Sequence, residues 1–154
     1  MPNVYEGKAG ATKGRFAIVV SRFNETITSR LADGAVETLK KNGIADDAID
    51  LFRVPGAFEI PTVAGRLVDA EAYDAVICLG AVIKGETSHD EHINRAVSLS
   101  LAQLGLDSGL PVIFGILTCN TLEQAIARSG GDAGTRGKDR PDSRIGNKGA
   151  ECAE

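Results

Sequence analysis

Both histidines of the chain, His89 and His92, fall within residues 80–93, GAVIKGETSHDEHI. An imidazole changes charge near neutrality, so it can both accept and release a proton at physiological pH. Before it stand Gly85, Glu86 and Thr87, which supply a flexible backbone and a hydroxyl. Ser88-His89-Asp90-Glu91 fits an S-x-x-E capping box, with Ser88 as N-cap and Glu91 at the third helical position. His89 is then the first residue of a helix, whose unpaired N–H groups attract anions such as phosphate. The chemistry suited to this arrangement is proton transfer by His89 beside a bound phosphate.

Two other stretches carry residue types out of keeping with ordinary turns. Arg22-Phe23-Asn24 sets an aromatic where a solvated turn is normally polar, and PGAFEIP (55–61) sets Glu59 after an apolar pair, with Pro55 and Gly56 shaping the backbone. Each residue alone has a plainer reading. Phe23 is by default a core or interface residue, Glu59 a charge complementing a helix dipole, and a lone histidine at a helix start a surface cap. Arg128, ending TLEQAIAR, is ordinarily a cation at a helix C-terminus. His89 and His92 at i, i+3 can share a metal, but no third ligand stands nearby at a recognised spacing, so no metal is expected. No Walker A motif, no G-x-G-x-x-G after a strand and no G-x-S-x-G elbow occurs, which disfavours nucleotides, dinucleotides and serine-hydrolase chemistry.

The elements that must position these residues alternate along the chain. RFAIVV (15–20), IDLFRV (49–54), DAVICL (74–79) and PVIFGIL (111–117) are short β-branched runs, as expected of parallel strands covered on both faces. Between them, Ile27, Leu31, Ala35 and Leu39, then Ile60, Val63, Ala64 and Leu67, then Ile93, Val97, Leu101 and Leu104 repeat at helical spacing. Asn42-Gly43 and Gly105 are the expected helix stops. The alternation predicts an α/β fold, a three-layer α/β/α sandwich on a four-stranded parallel sheet of flavodoxin-like type. NVYEG near the start can add a short edge strand, on this chain or on a neighbouring subunit. Ligands of such sheets bind at the carboxyl ends of the strands. There three successive strand ends present an aromatic, a carboxylate and an imidazole.

Composition excludes other classes. The 154 residues suit one domain able to bury a core without disulfides. A net charge of −4 and a pI near 5.2 argue against nucleic acid as a partner. Cys78, Cys119 and Cys152 form no CxxC pair and read as reduced thiols of a cytoplasmic protein. Neither a signal peptide nor an apolar run long enough to span a bilayer is present, so no membrane role is expected. Residues 131–145 are glycine-rich and charged, with no hydrophobic period, and read as a polar loop insertion. The final helix begins near AECAE and is cut short.

VVSRFNETIT, RVPGAFEIP, LGAVIKGETSHDEHI, VIFGILT and GNKGAECA together resemble lumazine synthase, from about residue 4 to 130 and again from 146. The resemblance implies condensation of 5-amino-6-ribitylaminouracil with 3,4-dihydroxy-2-butanone 4-phosphate to 6,7-dimethyl-8-ribityllumazine, the penultimate step of riboflavin biosynthesis, with no metal and no cofactor. Carried over by motif, Phe23 stacks on the pyrimidine, and Ala57, Phe58 and Glu59 hold the ribityl side. Ala81, Val82 and Ile83 hydrogen-bond the pyrimidine edge, Glu86 and Thr87 hold the phosphate sugar, and His89 moves protons. Phe114 and Arg128 come from an adjacent subunit, Arg128 on the phosphate with help from Lys148. The family forms homopentamers, some of which build icosahedral shells. Two other readings remain open on sequence: a non-catalytic lumazine- or riboflavin-binding module, and a shell-forming scaffold.

Overall fold

The computed structural model describes residues 1–7 and 13–130. Four strands, β1 (Phe16–Ser21), β2 (Ile49–Val54), β3 (Ala75–Ile83) and β4 (Val112–Cys119), form one parallel sheet in the order β2-β1-β3-β4. The α-helices among the described residues are α1 (Glu25–Lys41), α2 (Ile60–Asp69), α3 (His89–Ser108) and α4 (Leu122–Arg128), with short 3₁₀ turns at Asp46–Ala48 and Ala57–Glu59. This is the expected α/β/α sandwich, and its strand order is the flavodoxin-like one, with the switch point between β1 and β3.

The period-2 alternation of side chains divides the core into layers. Ala17 and Val19 of β1 and Val76 and Cys78 of β3 pack with Ile60 and Ala64 of α2 and Val97 and Leu101 of α3. Ile18, Val20, Ile77 and Leu79 point to the other face, against Ala32, Ala35 and Leu39 of α1. Beyond them, Ile27 of α1 meets Ala81, Leu117, Cys119 and Ala125 of α4. β3 and β4 approach closely at Gly115, where a Cβ would lie 2.6 Å from Leu79 Cδ2 and 3.0 Å from the Cys78 carbonyl oxygen. Only glycine fits that contact without displacing backbone.

Four expectations need correction. β2 is an edge strand and not covered on both faces: Leu51 is 41% exposed. β3 runs on through Gly80 to Ile83 because β4 pairs with it as far as Ile83↔Cys119. Gly105 does not stop α3; the helix continues to Ser108 and ends at Gly109, which takes the left-handed φ of 72° that a terminating residue needs. Residues 3–7 form no edge strand on this chain's own sheet, and Val4 and Tyr5 are exposed, which leaves the alternative expectation, pairing with a neighbouring subunit. The expected insertion at 131–145, the short final helix and Lys148 lie outside the described residues.

Candidate active site

The switch point is built by three strand exits. At the end of β1 the backbone is tied to the exit of β2, Arg22 N–H donating to the Val54 carbonyl at 2.7 Å and Phe23 N–H to the Pro55 carbonyl at 3.0 Å. Asn24 follows in the left-handed region (φ 61°), where asparagine is tolerated, and turns the chain into α1 while its side-chain amide donates to the Ala81 carbonyl at 3.4 Å. Phe23 is thereby held by its backbone and left 69% exposed. It is not a core residue of this chain.

After β2, Pro55 and Gly56 lead into a 3₁₀ turn, Ala57–Glu59, that continues as α2. Ala57 is buried, and Phe58 is exposed beside it. Glu59 folds back over Gly56: a Cβ on Gly56 would lie 3.1 Å from Glu59 Oε2. The third wall is β3. Its pairing with β1 ends at Val20↔Leu79, so Ala81, Val82 and Ile83 extend past that pairing, and among the described residues no strand pairs with that edge. Gly80 lies at the crossing point, where a Cβ would meet Ser21 Oγ at 3.1 Å.

These walls and the start of α3 enclose a cavity of about 730 Å³, within the usual range for small-molecule sites. It is lined by Phe23 after β1, by Ala57, Phe58 and Glu59 after β2, and by Ala81, Val82 and Ile83 of β3. Gly85 and Thr87 of the following loop and His89, Asp90, His92 and Ile93 of the start of α3 complete the lining. Thus nine sequence-predicted residues meet at one cavity: Phe23, Ala57, Phe58, Glu59, Ala81, Val82, Ile83, Thr87 and His89.

Three predicted residues lie off it in the single chain. Glu86 is exposed on the loop before α3. Phe114 sits in β4 opposite Cys78 and packs against the larger core cluster. The Arg128 guanidinium donates to the Thr118 carbonyl at 3.4 Å and to Cys119 Sγ at 3.5 Å.

The helix start differs from the expected capping box. Ser88 is the N-cap and His89 the first helical residue, but Ser88 has φ −78° and ψ 14° and makes no side-chain cap. An N-cap hydroxyl reaches the following N–H groups from extended backbone dihedrals, and Ser88 is not extended. Thr87 Oγ1 instead accepts from His89 N–H at 3.3 Å. A complete capping box occurs at α4, where Thr121 is extended (φ −132°, ψ 157°) and pairs reciprocally with Gln124.

Sequence reasoning assigned no site role to Asp90, His92 or Ile93, which also line the cavity. The signal for Asp90 was present: counting back seven residues from Val97 along the buried stripe of α3 lands on it. Cys78 is ruled out as a nucleophile, since burial pushes its thiol up to about 12 and keeps it protonated. Among the described residues no group of three or more His, Cys, Asp or Glu side chains could hold a metal, and no helix is long and apolar enough to cross a membrane.

A family model described as 6,7-dimethyl-8-ribityllumazine synthase matches residues 13–154. A 6,7-dimethyl-8-ribityllumazine synthase of Desulfotalea psychrophila is 51% identical to the chain over 139 residues, covering 90% of each protein.

Proposed function

The chain belongs to the 6,7-dimethyl-8-ribityllumazine synthase family, and we propose that it condenses 5-amino-6-ribitylaminouracil with 3,4-dihydroxy-2-butanone 4-phosphate, releasing phosphate and water, with His89 as the proton carrier. It is a transferase of riboflavin biosynthesis, acting on small-molecule substrates. The observation that carries the mechanism is the meeting of Phe23, Glu59 and His89, from three separate strand exits, at one cavity.

The condensation joins an amine to a ketone as an imine, expels phosphate and closes a ring. Every step moves a proton to or from nitrogen, carbon or oxygen. Holding the two reactants together supplies much of the rate, and a positioned imidazole adds roughly 10²–10⁴-fold. Phe23 offers its exposed ring to the pyrimidine, the uncovered edge of Ala81–Ile83 offers backbone groups to its polar rim, and Glu59 accepts from ribityl hydroxyls. The phosphate sugar occupies the end near Thr87 and His89, with Glu86 on the adjoining loop.

The cavity wall of one chain contains the carboxylates of Glu59 and Asp90 and no lysine or arginine among the described residues. A phosphate ester carries about −1.5 to −2 charges at neutral pH, so its binding calls for a cation from elsewhere. Arg128 of an adjacent subunit, with Phe114 beside it and Lys148 assisting, fills that need, which makes the working site an interface in a pentamer or larger assembly in the cytoplasm. The test is to mix the purified protein with both substrates and follow lumazine fluorescence. Product formation supports the reading. Binding of lumazine or riboflavin without turnover would make the protein a carrier instead.

A further inference from the structure

His89 and His92 both line the cavity from the start of α3, and the functional reading uses only the first. Residues three apart are neighbours on a helix surface. Helical side chains also lean toward the N-terminus, so each covers the turn before its own Cα. His92 therefore leans back over the turn that begins with His89. Both residues are exposed. The backbone N–H of His92 is used within the helix, on the Ser88 carbonyl at 3.4 Å. Its imidazole makes no hydrogen bond or ion pair with another described residue, so both ring nitrogens are available to a ligand.

The composition of the lining gives that availability a use. Glu59 and Asp90 are its carboxylates, it holds no lysine or arginine, and its two imidazoles are the only described groups there that can become positive. The phosphate sugar occupies this end in the functional reading, and its ester carries about −1.5 to −2 charges at neutral pH. His89 cannot be the standing cation, since a proton carrier gives up its charge during part of each turnover. An imidazole one turn away, outside the proton transfers, can stay charged and donate to a phosphate oxygen. Such charge-assisted contacts are stronger than neutral ones.

We propose that His92, as imidazolium, is a binding residue for the phosphate of the sugar substrate. It acts together with Arg128: a dianion can be met from two sides, by His92 of one subunit and Arg128 of the next. The inference rests on the functional reading above and adds to it a phosphate contact on the same helix as the proton carrier. An imidazole changes charge between about pH 5 and 8, whereas a guanidinium stays charged. The contact is therefore present at the acid end of that window and lost at the alkaline end.

The charged groups around His92 among the described residues are Glu59 from the turn before α2, His89 and Asp90 on the lining, Glu91 and Arg95 on the same helix, and Lys84 and Glu86 on the preceding loop; β3 and the exit of β1 add none to the lining. All are shared by His92→Gln, in which glutamine keeps a donor and an acceptor but never a charge, so the ratio of variant to wild type isolates the imidazolium. At about pH 6 the Michaelis constant of the phosphate sugar should be roughly 10-fold higher in the variant, the low end for a bond to a charged group because the site is open to water. The ratio should fall toward one by about pH 8.5. The Michaelis constant of the pyrimidine and the melting temperature should stay at their wild-type values. A ratio that does not vary with pH, an unchanged constant at the acid end, or an equal rise for both substrates would overturn the role of His92. Calorimetry with inorganic phosphate at about pH 6 tests the contact without turnover: affinity should be roughly 10-fold weaker in the variant, and equal affinity would overturn it. A wild type that makes no lumazine would overturn the functional reading instead, and the phosphate titration still decides whether His92 binds phosphate.

Discussion

Replacing Phe23 with alanine separates binding from folding, because its backbone and its side chain have different partners. The Phe23 N–H is fixed on the Pro55 carbonyl at 3.0 Å, a bond alanine keeps. The residue is 69% exposed, so of the ~200 Å² that an aromatic residue can bury only about 60 Å² is covered. At ~25 cal/mol per Å² that coverage stabilises the chain by at most about 1.5 kcal/mol. For a domain this size the melting temperature should fall by no more than about 3–6 °C. Stacking of a base on an aromatic ring contributes ~1–3 kcal/mol, so the dissociation constant of the pyrimidine should rise roughly 5- to 150-fold. Calorimetry with the pyrimidine alone and a thermal melt measure the two effects independently. Phe23→Tyr keeps the π face and should bind nearly as the wild type, whereas Phe23→Leu keeps apolar area without the face and should not. Unchanged affinity in Phe23→Ala, or full affinity in Phe23→Leu, would refute the stacking platform.

His89→Ala should lower turnover by roughly 10²–10⁴-fold while pyrimidine affinity stays near the wild-type value; unchanged turnover removes His89 from the mechanism. Arg128→Ala should raise the Michaelis constant for the phosphate sugar roughly 10- to 100-fold, the worth of a charge-assisted contact, and leave that for the pyrimidine nearly unchanged. Mixing Arg128→Ala with His89→Ala subunits should restore activity at hybrid interfaces, and a mixture no more active than its parts would show self-contained sites. At the opposite end of the sheet, the Asp50 carboxylate accepts from Tyr73 Oη at 2.6 Å and from Arg15 at 2.8 Å. The Tyr73 hydrogen bond first, and Arg15 second, hold its carboxyl below the usual range. A depressed folded value means stability that is full above the unfolded value of about 3.9 and is lost as pH falls through the lower folded value. Asp50→Asn should therefore lose less melting temperature than the wild type between pH 6 and pH 3, and equal losses would detach Asp50 from acid stability.

The strands were legible where hydrophobicity alone determines them. β1 and β2 begin and end within a residue of their apolar runs, and the four helices follow the spacing of Ile27, Ile60, Ile93 and the TLEQAIAR segment. What pattern cannot convey is backbone conformation. Ser88 and Thr121 head similar S/T-x-x-E/Q sequences, yet only Thr121 is extended enough to cap. Gly105 and Gly109 are the same residue type four positions apart, and α3 stops only where the dihedral turns left-handed. The apolar run of β3 is interrupted at Gly80, yet the strand continues, and a Cβ at that glycine would meet Ser21 Oγ of the neighbouring strand at 3.1 Å.

The site divides in the same way. Phe23, Glu59 and His89 sit in contiguous motifs at strand exits, so chain order alone brings them to one edge. Asp90, His92 and Ile93 line the cavity from the start of α3, which a motif reading passes over. Phe114 and Arg128 entered by resemblance to an assembly, and the single chain holds them on β4 and at its carboxyl end, away from the cavity. The charges of the cavity connect these groups. Two unit charges of like sign about 4 Å apart repel by several kcal/mol at an effective dielectric near 20, so a phosphate entering a wall that bears Glu59 and Asp90 needs a cation brought against its far side. β4 is the sheet's other edge strand, and α4, which follows it, ends in Arg128, so the cation lies on a margin that a second subunit can reach. On the proposed function, the acidic wall and the marginal arginine are complementary parts of one site contributed by two subunits, and the hybrid-mixing experiment tests that pairing.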